Sequence, residues 1–191
     1  MFLRVQKWDS EPALIKACQR GEAAAQREVY DRYARRMLAL CVRYIQDDME
    51  AEDVMIGGFM RVFGKLDQYQ FAGSFEGWMR KIMVNEALQQ VRRNHGLHLE
   101  TDIAEVHNDA AVMHTDNNEL ETQDLLDMVR QLPGGYRTVF NLYAIEGYAH
   151  KEIAEQLGIS ENTSKSQLSR ARALLQGYLQ KTDSQQSTAS R

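Results

Sequence analysis

The stretch HKEIAEQLGISENTSKSQLSRARALL, residues 150–175, decides the fold of the C-terminal part of this 191-residue chain. Apolar residues at helical spacing predict a short helix over His150–Leu157. Gly158 tolerates the left-handed backbone of a tight turn, and Ser160 is a good N-cap for a second helix that begins at Glu161. A helix, a glycine turn and a capped helix in one register are typical of a helix-turn-helix.

The second helix of this motif has two unlike faces. Ser164, Leu168, Ala171 and Leu175 recur at 4-3-4 spacing and are predicted to pack inward. Recognition helices use small polar groups and arginine to contact base edges in the major groove, and basic groups to contact phosphates. The opposite face therefore predicts reading of double-stranded DNA by Thr163, Lys165, Ser166, Ser169, Arg170 and Arg172. An ordinary solvent-exposed face would explain these charges. It would not explain why a helix, a glycine turn, a capped helix and a basic polar face occur together in one register.

Charge divides the chain, whose net charge is −4, into three blocks. Residues 1–96 carry 15 Lys or Arg and 13 Asp or Glu, and residues 125–191 carry eight and six. Residues 97–124 carry no Lys or Arg and eight Asp or Glu. Two mildly basic blocks around a purely acidic segment predict two domains and a linker.

Helical periodicity fills both blocks, so the predicted fold class is all-α, with two small helical domains joined by an irregular acidic linker. The predicted parts are a first domain at 10–96, the linker at 97–124, a helix-turn-helix domain at 125–180 and a disordered tail at 181–191. Four helices are expected in the first domain, at about 10–21, 22–45, 48–66 and 74–93. Four are expected in the second, at about 125–132, 136–146, 150–157 and 161–179. The Gly57-Gly58 pair is unfavourable inside a helix and predicts close packing there.

Several function classes have no support in the sequence. No apolar run is long enough to span a membrane, and a short charged N-terminus favours the cytoplasm over export. Cys18 and Cys41 are predicted to be core residues. The spacing of the histidines in or beside the linker matches no specific metal site (His95, His98, His107 and His114). Neither a phosphate-binding glycine loop nor a nucleophile–base pair is present, so no enzyme activity and no cofactor are predicted.

The motifs together resemble one family, the extracytoplasmic-function sigma factors of bacterial RNA polymerase. Residues 151–160, KEIAEQLGIS, with the polar face after them, resemble the domain that reads the −35 promoter element. Residues 51–54, AEDV, with Phe59 and residues 61–63, RVF, resemble the polymerase-binding helix. A third group of residues resembles the helix that opens and reads the −10 element: residues 73–75, GSF, with Trp78, Arg80-Lys81-Ile82 and Val84-Asn85.

The resemblance implies an initiation factor that binds core RNA polymerase and promoter DNA, reads the −35 and −10 elements, and allows an anti-sigma factor as a further partner. It implies polymerase contacts from Asp53, Ile56, Gly57, Phe59 and Met60. It implies −10 contacts from Lys81, Asn85 and the loop from Phe71 to Ser74. Helical spacing adds Trp78 and Arg92 to the same face, where an aromatic ring, a cation and an amide suit a flipped base in single-stranded DNA. The alternative for Trp78 is a core position.

The chain departs from the family pattern at four positions. Ile56 and Gly57 stand where the family has a glutamine and an acidic residue, which predicts a more apolar and closer-packed polymerase interface. Gln167 replaces a common basic residue and Ser164 a common valine, so −35 affinity or preference is expected to differ.

Two further questions stay open at this stage. The acidic linker suits a basic channel built for nucleic acid, as an RNA mimic, but a solvated tether explains it equally well. A regulator that binds DNA without polymerase is the alternative function, with the first block as a sensor or dimerisation domain. The basic helix after Phe71 argues against it, because such a regulator has no need to read single strands.

Overall fold

The computed structural model of the chain describes residues 8–95 and 119–189, with side chains at 8–94 and 125–180. These residues form helices and connecting turns, without a strand, so the all-α prediction is confirmed. The helices are α1 (Glu11–Gln19), α2 (Ala23–Tyr44), α3 (Asp48–Gly64), α4 (Phe75–His95), α5 (Glu119–Arg130), α6 (Gly134–Phe140), α7 (His150–Leu157) and α8 (Glu161–Ala189). A 3-10 turn, Leu66–Gln68, precedes α4, and a π-helical turn, Asn141–Ile145, continues α6.

The chain divides into two compact units, Met1–Gln90 and Val91–Arg191. The division falls inside α4, a few residues before the domain boundary predicted at residue 96. Each unit has its own buried core.

The first unit is built from α1 to α4. The Ser10 hydroxyl accepts a hydrogen bond from the Ala13 N–H at 3.3 Å and caps α1, as predicted. Gly21, with φ of +77°, lets the chain reverse into α2. Cys18 and Cys41 are buried free thiols, which confirms them as core residues. Burial raises the pKa of Cys18 to about 11 and that of Cys41 to about 12, so both thiols stay protonated and unreactive.

Gly58 is a point of close contact between α3 and α4. A Cβ atom at this position would lie 2.2 Å from Sδ of Met83, which is fully buried. At the neighbouring Gly57 a Cβ would meet nothing nearer than Glu86 Oε2 at 3.8 Å. The close packing predicted for the glycine pair is therefore confirmed at Gly58 and wrong at Gly57.

The second unit packs α5 and α6 against α8. Val129, Leu132 and Ala171 form a buried cluster that Tyr136, Phe140, Leu174, Leu175 and Tyr178 extend. Arg137 closes the end of α5, because its guanidinium donates to the Arg130 carbonyl at 2.9 Å and the Leu132 carbonyl at 3.4 Å. Its side chain is buried, and desolvation together with nearby Arg130 lowers its pKa to about 10.

Several helix boundaries differ from the sequence prediction, and the largest differences are at the start of α5 and the end of α8. Helix α5 begins at Glu119, so the end of the segment predicted as an irregular linker is helical. Acidic residues are common in the first turns of a helix, because they interact favourably with the partial positive charge at its N-terminus. An acidic first turn therefore has the same composition as an acidic linker. The tail predicted to be disordered continues α8 to Ala189, because no Gly or Pro ends the helix there. Helix α3 ends at Gly64, and Leu66 begins the 3-10 turn. Linker residues 97–118 lie outside the described residues.

Candidate nucleic-acid interface

The joint between α7 and α8 has the geometry that the sequence predicts. Gly158 adopts φ of +68°, and its N–H returns to the Ala154 carbonyl to end α7. The Ser160 hydroxyl accepts from the Thr163 N–H at 2.9 Å and caps α8. At the start of α7 the Glu152 carboxylate accepts from the Ala149 N–H at 2.7 Å. The start of α8 is therefore capped by a side chain, and at α7 the Glu152 carboxylate satisfies the N–H of the N-cap residue.

The inward face of α8 is the one predicted. Ser164, Leu168 and Ala171 are buried, and Leu175 is half-buried. Ser164, which stands where an apolar residue would pack well, forms a 2.9 Å hydrogen bond with Nδ1 of His150 at the start of α7. A buried hydroxyl without a partner would be costly, so this bond explains how serine is accommodated between the two helices.

His150 is a residue that sequence reasoning missed. Its ring also stacks on Tyr143, with centroids 4.5 Å apart. Burial lowers the pKa of His150, and the positive charges of Lys165 and Arg172 lower it further, against an opposing effect of Glu161. These effects favour the neutral imidazole over the charged form. The periodicity of apolar residues gave no signal for His150, because its partner Ser164 lies on the other side of the turn.

The outward face of α8 carries the predicted DNA-reading residues. Lys165, Ser166, Ser169, Arg170 and Arg172 are exposed, and Thr163 is half-buried. Three neighbours orient the cations: Lys165 pairs with Glu161 at 2.7 Å, Arg170 donates to the Tyr136 hydroxyl at 3.4 Å, and Arg172 lies over the Tyr143 ring at 5.7 Å. Lys165 in turn lowers the pKa of the Glu161 carboxyl by hydrogen bonding and charge. The helix thus presents a basic and hydroxyl-rich strip to solvent.

Gln167 does not belong to this strip. Its side chain is 7% exposed and faces the start of α6, where its amide would lie 3.4 Å from a Cβ placed on Gly135. The expectation that Gln167 changes −35 affinity or preference stays a prediction, but its buried side chain does not lie on the exposed face of α8. A basic side chain there would require burial of a charge, which explains why an amide suits this packing.

The loop before α4 is organised around Tyr69. Its ring contacts those of Phe71, Phe75 and Trp78, with centroids 5.1, 5.2 and 5.4 Å away, and its hydroxyl donates to the Gly73 carbonyl at 2.9 Å. Phe71 has φ of +58°, a left-handed backbone that costs a non-glycine residue about 1–2 kcal/mol. The surrounding contacts hold it there with the side chain partly exposed.

The predicted −10 residues are placed at the surface around this loop. The Ser74 hydroxyl accepts from the Gly77 N–H at 3.0 Å and caps α4, as predicted. Lys81 and Asn85 are exposed on α4, and Trp78 is half-buried against the aromatic rings. Arg92 is exposed too, but falls after the division of the two units. The structure therefore brings together an aromatic ring, a cation and an amide along one helix face.

The predicted polymerase-binding residues of α3 divide between surface and core. Asp53, Ile56 and Met60 are exposed, with Ile56 at 48% and Met60 at 72%, and Gly57 is half-exposed. Phe59 is 3% exposed and packs against Tyr30, with ring centroids 4.9 Å apart. The prediction that Phe59 is a contact residue is therefore wrong for its side chain. Met49, which is 80% exposed and one heptad before Ile56, was missed and continues the same apolar stripe.

Other site classes find no support within 8–95 and 119–189. No group of His, Cys, Asp and Glu there could hold a metal ion, and no helix there is long and apolar enough to cross a membrane.

Comparisons with known proteins identify both units. Residues 29–96 match the family model of Sigma-70 region 2, and residues 122–175 match that of Sigma-70, region 4. The chain is 33% identical over 165 residues to the ECF RNA polymerase sigma factor SigE of Mycolicibacterium smegmatis, covering 83% of this chain and 63% of that protein. It is 24% identical to the ECF RNA polymerase sigma-E factor of Haemophilus influenzae, over 90% of this chain and 96% of that one.

A solved structure has the same fold at lower identity. The sigma factor RpoE of Bartonella quintana, crystallised with the anti-sigma factor NepR, superposes with a TM-score of 0.52 at 22% identity, over 81% of this chain and 96% of that one. Each of the two units therefore contains a match to a sigma-70 family model, and the Haemophilus protein is matched over 96% of its length. The chain belongs to the sigma-70 family, and the relatives that it matches over most of its length are named as extracytoplasmic-function sigma factors.

Proposed function

We propose that this chain is an alternative sigma factor, which binds core RNA polymerase and directs it to promoters by reading their −35 and −10 elements. The observation that carries the proposal is that one chain holds two different exposed surfaces whose side chains suit contacts with DNA. One is the basic strip of α8, shaped for a duplex groove, and the other is the aromatic loop with the exposed face of α4. A regulator that binds only duplex DNA has use for the first surface alone.

The α8 strip is proposed to read the −35 element. Its exposed side chains combine hydroxyls, which accept or donate to base edges, with three cations. Arg170 forms a long hydrogen bond to Tyr136, at 3.4 Å, which it can exchange for a guanine edge at little cost. Lys165 and Arg172 lie on the flanks of the strip, where phosphates approach a helix in the major groove.

The loop from Phe71 to Ser74, here called the Phe71 loop, and α4 are proposed to read the −10 element as single-stranded DNA. Phe71 and Trp78 offer partly exposed rings for stacking, and Lys81 and Asn85 offer a cation and an amide beside them. Stacking on aromatic side chains is favourable for every base, while hydrogen bonds to base edges give the preference. The same surface would therefore favour the melted state of the promoter over the duplex.

The exposed face of α3 is proposed to bind the polymerase. Asp53, Ile56 and Met60 are its contact residues, with Met49 added by the structure. The absence of the family's polar pair at Ile56 and Gly57 makes this contact more apolar than is usual in the family. An anti-sigma factor of the kind seen with the Bartonella protein is a further proposed partner. The polymerase supplies the chemistry of transcription, so the chain itself is proposed to act without catalysis, and in the cytoplasm.

Reconstitution with core polymerase tests the proposal. The full chain and core enzyme are mixed with genomic promoter fragments, and run-off transcripts are sequenced at their 5′ ends. We expect transcripts from a small set of promoters that share −35 and −10 sequences, and loss of this selectivity in Arg170→Ala. If the chain shifts DNA by itself but neither joins core enzyme nor starts transcripts, it is a regulator that acts without polymerase.

A further inference from the structure

Helix α1 contacts the Phe71 loop through two side chains of one face. Gln19 Nε2 donates to the Leu66 carbonyl at 2.9 Å and lies 3.5 Å from the Tyr69 carbonyl. These carbonyls mark the two ends of the 3-10 turn that leads into the loop. One turn earlier on α1, the Lys16 ammonium lies 5.8 Å from the centre of the Phe71 ring.

Two residues of the loop have a left-handed backbone. Phe71 occupies a left-handed backbone that phenylalanine disfavours, and Gly73 is left-handed too, with φ of +80°. Tyr69 anchors the loop from the inside through its ring contacts and its bond to the Gly73 carbonyl. Gln19 and Lys16 anchor it from outside, at the backbone before Phe71 and at the ring itself.

We propose that Gln19 and Lys16 are positioning residues, which hold the Phe71 loop in the shape that discriminates among −10 sequences. The inference rests on the proposed function, because it assigns a task within −10 reading. Helix α1 carries none of the predicted contact residues. It thereby sets the specificity of a loop about 50 residues away along the chain.

The physical basis is the precision that base reading requires. A hydrogen bond to a base edge weakens steeply when its geometry departs from linear, so a loop that samples several positions favours the right base less. The loop would still stack on any base, because stacking tolerates every sequence. Loss of the α1 anchors is therefore expected to reduce discrimination more than overall activity.

The test uses holoenzyme assembled from full-length variants and core polymerase. The template panel keeps one −35 element and replaces each −10 base in turn. The variants are Gln19→Ala, Gln19→Glu, which keeps the size but loses the donors, and Lys16→Gln. Lys16→Arg is the conservative variant, since it keeps a cation for the ring. Arg27→Gln is the matched control, because Arg27 is an exposed cation that pairs with Asp31 on α2.

We expect both Gln19 variants to lower the ratio of initiation on preferred over substituted −10 elements about two- to tenfold, as loss of one hydrogen bond would. Lys16→Gln is expected to lower it less, and Lys16→Arg and Arg27→Gln to leave it unchanged. Discrimination at the −35 element and affinity for core enzyme are expected to stay at the wild-type level in all of them.

Three results would overturn the inference. Unchanged −10 ratios in both Gln19 variants would show that the loop needs no anchor from α1. An equal loss on every template, together with weaker core binding, would show a general structural role. Unfolding of the first unit in both Gln19 variants, seen by tryptophan fluorescence, would show the same. A wild-type chain that never starts transcripts would instead refute the proposed function, and this inference with it.

Discussion

Replacement of Gly58 by alanine tests how closely α4 is seated on α3, and thus how the −10 helix is held against the proposed polymerase helix. The new methyl group would lie 2.2 Å from Sδ and 3.0 Å from Cε of Met83. Met83 is fully buried, so its thioether cannot move to solvent. Overpacking of this kind costs about 1–3 kcal/mol, and the better helix propensity of alanine offsets about 1 kcal/mol of that cost.

Gly57→Ala is the matched control, one residue earlier in the same helix. Its methyl group would make only an ordinary contact, at 3.8 Å from Glu86 Oε2. It should therefore stabilise the first unit by up to about 1 kcal/mol through helix propensity alone. We expect the free energies of unfolding of the two variants to differ by about 2 kcal/mol, with Gly58→Ala the less stable.

Urea denaturation followed by tryptophan fluorescence measures this difference. Both tryptophans, Trp8 and Trp78, lie in the first unit, so their emission reports on that unit without interference from the second. A Gly58→Ala variant as stable as Gly57→Ala would refute the close approach of α3 and α4. It would also remove the structural reason for a glycine at position 58.

Three further predictions concern the second unit and the linker. Arg170→Ala should reduce preference for the correct −35 sequence by about 1–3 kcal/mol in competition binding to base-substituted duplexes; equal loss on every sequence would make Arg170 a phosphate contact. The folded-state pKa of His150 is lowered, so its contribution to the stability of the second unit should be fully present above the unfolded pKa near 6.5 and should be lost as pH falls through the folded pKa. A proton NMR titration with His150→Gln as the assignment control measures this, and a His150 pKa at or above 6.5 would contradict it. Neutralising the acidic residues of segment 97–124 should weaken core binding or alter early transcription, and unchanged behaviour in both assays would leave the segment as a tether only.

The helix-turn-helix was predictable because its signals are local. Gly158 and Ser160 each act within a few residues of their own position, and the spacing of Leu168 and Ala171 follows from helix geometry. The same holds for the Ser10 and Ser74 caps. Where one residue satisfies its neighbours along the chain, the sequence pattern and the structure agree.

The errors arose where packing between distant segments decides the outcome. Phe59 and Met60 are adjacent apolar residues in α3, and only the contact of Phe59 with Tyr30 shows which of them is buried. The bond from Ser164 to His150 crosses the turn, 14 residues along the chain, and has no periodic signature. The left-handed backbone of Phe71 is held by other elements, so no local preference could predict it.

We propose that this chain recognises and melts the promoter, while core enzyme catalyses RNA synthesis. Promoter opening tests this proposal most directly. Permanganate oxidises unpaired thymines, so it maps the melted −10 region of a promoter identified by run-off transcription. We predict reactive −10 thymines only when the chain and core polymerase are both present, and reduced reactivity in Trp78→Ala with unchanged −35 binding. Opening by core enzyme alone, or occupancy of the −35 element by the chain without any opening in the presence of core enzyme, would contradict it.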